Sequence, residues 1–124
     1  MNRKAAGLRR ALLVEDDAGV RRSLQLLLHW RGFDVRSHAG AASLLASDDA
    51  AAADILIADY RLPDGNGVDL LHRLIERGWS GRSILITAYA DAALRQAAQD
   101  GGFHTVLEKP LRPQVLIAAL AGTV

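Results

Sequence analysis

Acidic groups, one hydroxyl and one lysine fall where short apolar runs end. Ala11-Leu12-Leu13-Val14 runs into Glu15-Asp16-Asp17, and Ile55-Leu56-Ile57-Ala58 into Asp59. Ile84-Leu85-Ile86 runs into Thr87, and Thr105-Val106-Leu107 into Glu108-Lys109-Pro110. If Glu15, Asp16 and Asp59 meet, their carboxylates repel one another and lose hydration. A hard divalent cation compensates, and magnesium takes oxygen ligands from one or two carboxylates, completed by water and substrate phosphate. Lys109 adds a point charge that holds an anionic oxygen, and Thr87 adds a hydroxyl donor. A carboxylate beside such a cation, an ammonium and a hydroxyl is a competent phosphoryl acceptor. Metal and lysine neutralise the phosphoryl oxygens while a carboxylate oxygen attacks in line, and the same groups assist later attack of water on the acyl phosphate.

Each residue alone has a plainer role. Asp17 reads as a helix cap, Asp59 as a turn residue, Thr87 as a strand-end hydroxyl and Lys109 as a solvated lysine. Their conjunction at four strand ends carries the argument, and it needs a scaffold that gathers those ends. The apolar runs have the length and branching of strands, and three of them are apolar throughout, as in parallel strands covered on both faces. Phe33–His38 is the least apolar strand and belongs at an edge.

Helical patterns alternate with the strands. Val20, Leu24, Leu27 and Leu28 form one stripe, capped by Asp17 and ended by Gly32; Val68, Leu71, Leu74 and Ile75 form another, between Asn66 and Gly78. A short helix is expected around Ser43–Ser47, followed by an Ala/Asp loop. A helix over about Ala92 to Asp100, capped by Asp91, carries one large apolar residue, Leu94, so its packing should be thin. Pro113 opens a last helix bearing Leu116, Ile117 and Leu120. Five strands alternating with five helices give an α/β, doubly wound parallel sheet with right-handed crossovers, which binds ligands outside the strands' carboxyl ends.

The composition excludes several classes. At 124 residues, 50% apolar and 23% charged, the chain is an ordinary globular domain. It has no cysteine, hence no disulfide, thiolate metal site or cysteine nucleophile. No apolar run approaches a membrane span, and the basic start Met1-Asn2-Arg3-Lys4 precedes no signal core. A cytoplasmic protein that binds neither membrane nor nucleic acid is expected. Residues 1–36 carry net +4 and the rest net −3, too mild a polarity for a phosphate-tracking stripe. Of fifteen basic residues only Lys4 and Lys109 are lysines. His29, His38, His72 and His104 lack metal-ligand spacing and read as surface or structural. Trp30 and Trp79 read as core or rim anchors, Tyr60 as a packing or rim residue.

Four motifs resemble those of the receiver domain of two-component response regulators: Leu13-Val14-Glu15-Asp16-Asp17, Asp59-Tyr60-Arg61-Leu62-Pro63-Asp64-Gly65-Asn66-Gly67, Ile86-Thr87-Ala88 and Glu108-Lys109-Pro110. The resemblance runs from about Arg9 to Leu120. It implies a (βα)5, flavodoxin-like sheet of order 2-1-3-4-5, one receiver domain over 1–124 and an ordered core over about 9–121. It makes Asp59 the phosphoacceptor, with Mg2+ held by Glu15, Asp16, Asp59 and the backbone carbonyl of Arg61. Glu15 is longer than the Asp often found there and would reach the ion through water. Thr87 resembles the family's switch hydroxyl and Lys109 its lysine, with a cis Lys109–Pro110 bond. One position departs: the family commonly carries Tyr or Phe three residues before the lysine, and this chain has Val106, with Phe103 out of register. Arg61 and Tyr89 fall at the rim, where they would tune the lifetime of the phosphorylated state.

The resemblance implies a phosphorylation-controlled switch rather than a turnover enzyme. A sensor histidine kinase or histidine phosphotransfer protein would supply the phosphoryl group. A downstream output protein or domain would read the face made by the fourth helix, fifth strand and fifth helix, with a phosphorylation-dependent homodimer as one arrangement. Two other readings stand beside it. A phosphate-independent, receiver-like module is favoured slightly by Val106. An aspartyl phosphohydrolase is disfavoured, because Arg61 stands where haloacid-dehalogenase-type enzymes have a second Asp.

Overall fold

The structure is a computed structural model, and it describes residues 8–122. Met1–Lys4, including Lys4, lies outside the described residues. The chain alternates β1 (Arg10–Val14), α1 (Ala18–Trp30), β2 (Asp34–His38), α2 (Ala41–Leu45), β3 (Ile55–Asp59), β4 (Arg61–Leu62), β5 (Gly65–Asn66), α3 (Gly67–Glu76), β6 (Arg82–Thr87), α4 (Ala92–Asp100), β7 (Thr105–Glu108) and α5 (Pro113–Leu120). Five strands form one parallel sheet of order β2-β1-β3-β6-β7, which is 2-1-3-4-5 when these strands are counted alone. The fold is the expected doubly wound α/β sheet with β2 at an edge.

Successive residues of a strand face opposite sides, and the apolar runs use both. Ala11, Leu13, Ile55, Ile57, Ile84 and Ile86 pack with Leu24 and Leu28 of α1 and with Leu116, Ala119 and Leu120 of α5. Leu12, Val14, Leu56, Ala58 and Leu85 pack with Leu44 of α2, Leu70, Leu71 and Leu74 of α3 and Ala98 of α4. Each fully buried leucine or isoleucine contributes about 1.5–3 kcal/mol relative to exposure. The caps are as expected: Asp17, Asn66 and Asp91 accept backbone N–H bonds from Val20, Asp69 and Leu94. α4 buries only Ala98, with Leu94 half-buried, so it is the thinly packed helix anticipated.

Four local expectations are corrected. The second helix is Ala41–Leu45, which overlaps the expected Ser43–Ser47 but starts and ends two residues earlier, and part of the following loop is a 3-10 turn over Asp49–Ala52. Asp64 causes the displacement, because its carboxylate accepts the N–H groups of Ala41 (2.9 Å) and Ala42 (2.8 Å) and so fixes the helix start from a distant loop. β4 and β5 form an antiparallel hairpin inside the segment after Asp59. In α3 the buried stripe is Leu70, Leu71 and Leu74, and Ile75 is 46% exposed. Trp30, at the last turn of α1, is 81% exposed and anchors nothing, whereas Trp79 is a rim anchor whose indole N–H donates to the Ala53 carbonyl.

Candidate functional site

The parallel arrangement brings the carboxyl ends of β1, β3, β6 and β7 to one edge. There a cleft of about 450 Å3 is lined by Glu15, Asp16, Asp59, Arg61, Thr87 and Lys109, among others. The dispersed residues singled out by type thus share one site. Asp59 is the last residue of the central strand, and the chain turns sharply behind it. A Cβ on Gly67 would stand 2.6 Å from the Asp59 carbonyl oxygen and 2.8 Å from Leu85 Cδ1, so only glycine lets α3 start this close to the strand end.

Lys109 is the hub. Its Nζ donates to Asp59 Oδ2 at 2.6 Å and lies 2.8 Å from Glu15 Oε1. The backbone sets its reach: Lys109 N–H donates to the Thr87 carbonyl at 2.7 Å, and the Lys109–Pro110 bond is cis. Asp59 Oδ1 accepts the Arg61 N–H at 3.3 Å. Glu15 is completely buried, and its Oε2 accepts the Asp17 N–H at 3.0 Å. Its Oε1 faces the same Lys109 ammonium, whose three N–H groups are shared between Glu15 and Asp59.

The electrostatics follow this imbalance. Burial pushes the Glu15 carboxyl above its usual value; the Asp59 charge adds to that, and Lys109 and the Asp17 N–H only partly offset it. Burial alone would pull the Lys109 ammonium down, but its contacts with Asp59 and Glu15 hold it above its usual value. One ammonium thus serves a cluster in which Glu15, Asp16 and Asp59 bring carboxylate oxygens within 4.8 Å of one another. Three carboxylates served by a single ammonium make an all-oxygen donor set that suits a hard cation. The set therefore fits magnesium.

Thr87 is buried, and its hydroxyl is turned towards the backbone of Tyr89, donating to the carbonyl at 3.3 Å and accepting the N–H at 3.4 Å. Tyr89 is 71% exposed at the mouth of an adjacent cleft that Arg61 and Thr87 also line. Val106 is half-buried against the α2-α3-α4 face of the core. Asp17 is the helix cap of its plainer reading. The histidines stay out of the acid cluster. His38 is tied to Asp49 and Ser43, His104 accepts the Ser83 N–H, His72 pairs with Glu76, and His29 stacks edge-on against Trp30. Sequence reasoning missed Asp64, although an acid after proline in a turn is a recognisable signal for capping nearby amides. The Asp64 carboxyl sits below its usual value because the Ala42 and Ala41 N–H groups favour its ionised form.

Comparison with known proteins decides the family. Residues 11–121 match the model of the response regulator receiver domain. The chain belongs to this family. It is 34% identical over 108 residues to the transcriptional regulatory protein FixJ of Rhizobium meliloti, covering 87% of this chain and 53% of that protein. It is likewise 34% identical over 108 residues to the transcriptional regulatory protein TdiR of Thauera aromatica, covering 87% and 48%. The chain spans about half the length of these curated relatives. Among solved structures, FixJ-N superposes with a TM-score of 0.80 at 32% identity, covering 93% of this chain and 92% of that one. A CheY-like receiver domain from Methanospirillum hungatei superposes at 0.86 with 26% identity, covering 94% and 93%. Receiver domains act in two-component systems, and phosphorylation and Mg2+ binding are general to them.

Proposed function

We propose that this receiver accepts a phosphoryl group on Asp59 from the phosphohistidine of a sensor kinase or phosphotransfer protein, and that the acyl phosphate shifts a two-state binding surface. One observation carries the reading: an ammonium 2.6 Å from a buried strand-end carboxylate and 2.8 Å from a second, completely buried acid. Glu15, Asp16 and Asp59, with the Arg61 carbonyl, would hold magnesium, which when bound supplies Lewis-acid neutralisation of phosphoryl oxygens. An Asp59 carboxylate oxygen attacks phosphorus. The new P–O bond forms as the N–P bond of the donor breaks, and the electron pair returns to the imidazole nitrogen. Lys109 keeps its ammonium at the reacting carboxylate and holds the developing negative charge. Thr87 supplies its hydroxyl by leaving the Tyr89 backbone, whose two contacts at 3.3 and 3.4 Å are weak.

That loss frees the segment leading into α4, the thinly packed helix, so the α4, β7 and α5 face is the readout. The names of FixJ and TdiR suggest transcriptional control as the output. The domain promotes its own phosphorylation and hydrolysis and does not turn over a substrate pool. Incubation with magnesium and a small phosphodonor adds one phosphoryl group to the wild-type mass and none to Asp59→Asn. Continuous release of phosphate from phosphoesters would instead mark a hydrolase. Val106 favours one second reading, a phosphate-independent interaction module, and absence of any mass gain in the wild type would establish it.

A further inference from the structure

Arg21 stands one helical turn beyond the cap Asp17, whose carbonyl accepts the Arg21 N–H at 2.9 Å. Its guanidinium folds back towards the helix start. There Nη1 donates to the carbonyl oxygen of Glu15 at 2.7 Å and also lies 3.3 Å from that of Asp16. One nitrogen thus spans both carbonyls of the acid pair. The same loop is held by Glu15 N–H on the His38 carbonyl at 3.0 Å and by Asp17 N–H on Glu15 Oε2 at 3.0 Å. Of these contacts, only that of Arg21 comes from a side chain outside residues 15–17.

We infer that Arg21 is a positioning residue for the cation site, acting through the backbone of Glu15 and Asp16, an inference that rests on the magnesium reading above. Asp16 is exposed, so its carboxylate points where its backbone directs it. Magnesium demands near-ideal octahedral geometry at short ligand distances. A tilt of the 15–16 peptide therefore costs affinity even with every carboxylate in place. Charge alone acts in the opposite direction. A guanidinium near the acids repels an incoming cation, so removing it should tighten binding slightly. Loss of affinity on removing Arg21 therefore reports lost positioning. Outer-shell partners of metal ligands typically contribute 10–100-fold in affinity.

The test is calorimetric titration of the full chain with magnesium chloride and no phosphodonor, alongside thermal unfolding. Wild type, Arg21→Gln, Arg21→Lys, Arg22→Gln and Asp16→Asn are compared. Arg22 is exposed on the same helix and serves as the charge control. Arg21→Gln should bind about ten-fold more weakly. Arg22→Gln should match the wild type or bind slightly tighter, and Arg21→Lys should lie between. Equal affinities for Arg21→Gln and Arg22→Gln overturn the positioning role while leaving the cation site intact. A wild type that binds no better than Asp16→Asn overturns the cation site itself. Should Arg21→Gln fail to fold, Arg21→Lys decides, since the shorter lysine side chain places its nitrogen short of the two carbonyls that Nη1 reaches, and wild-type affinity in that variant overturns the inference.

Discussion

Two charged clusters flank β1, one running along its neighbour β2 and one just past its carboxyl end, and they settle their charges differently. At its start, Arg10 is buried and pairs with Asp34 at 3.0 Å. Arg36 reaches Asp34 at 3.1 Å and Asp49 at 3.2 Å, and His38 joins Asp49 at 2.7 Å. Asp34, Arg36 and His38 alternate along β2, so one face of an edge strand builds the network. Arg10 and Arg36 share Asp34, Arg36 also meets Asp49, the Arg10 backbone N–H donates to the Asp54 carboxylate at 2.8 Å, and the Asp34 carboxyl lies below its usual value: burial raises it, but the bonds from Arg36 and Arg10 win. At the other end of β1, one ammonium faces three carboxylates, and the buried acid lies above its usual value. The first cluster is complete and holds β2 and the 3-10 turn to the sheet. The second is short of positive charge, and that deficit distinguishes a binding site from a structural ion network.

The comparison can be broken by mutation. Arg10→Met leaves Asp34 with Arg36 as its remaining arginine partner and should cost about 1–3 kcal/mol in urea unfolding, with magnesium affinity unchanged. Glu15→Gln should do the reverse. Removing this buried charge raises the melting temperature of the metal-free chain by about 3 °C, while magnesium affinity falls about ten-fold. Melting curves that move the same way in both variants would end the contrast. At the rim, exchanging Arg61 for Asn and Tyr89 for Glu should change the rate of phosphate loss from the phosphorylated chain several-fold, and an unchanged rate removes both residues from lifetime control.

The smallest effect is in the pH profile. Glu15 binds its proton more tightly in the fold than at the ordinary value of 4.5, so metal-free stability falls as pH rises from there through the raised value. Asp34 binds its proton less tightly than at the ordinary 3.8, so its contribution is full above that value and is lost as pH falls through the lowered one. Denaturant midpoints followed from pH 3 to pH 8 should therefore decline on both sides, and Glu15→Gln should flatten only the upper side.

What could be read from the chain alone was what repeats locally. β1, β3 and β6 are apolar on both faces, and a parallel sheet forces their ends together, so Glu15, Asp59, Thr87 and Lys109 could be gathered before any coordinates. What escaped depends on partners distant in the chain. α2 starts where Asp64 caps it, and β4 and β5 are two residues each, too short to leave a period. Trp30 is apolar by type but lies on the outer face of α1, and in α3 the buried place expected for Ile75 is taken by Leu70. That one ammonium serves both Glu15 and Asp59 was invisible too, since it depends on packing between residues far apart in the chain.

The acid pair follows the first strand and the ammonium follows the last strand of the sheet. A nascent chain leaving the ribosome therefore displays Asp59 long before Lys109 emerges. A fragment truncated ahead of β7 keeps the acceptor but lacks the group that readies it. The two halves of the cleft therefore meet only in a chain that includes β7 and the residue that follows it.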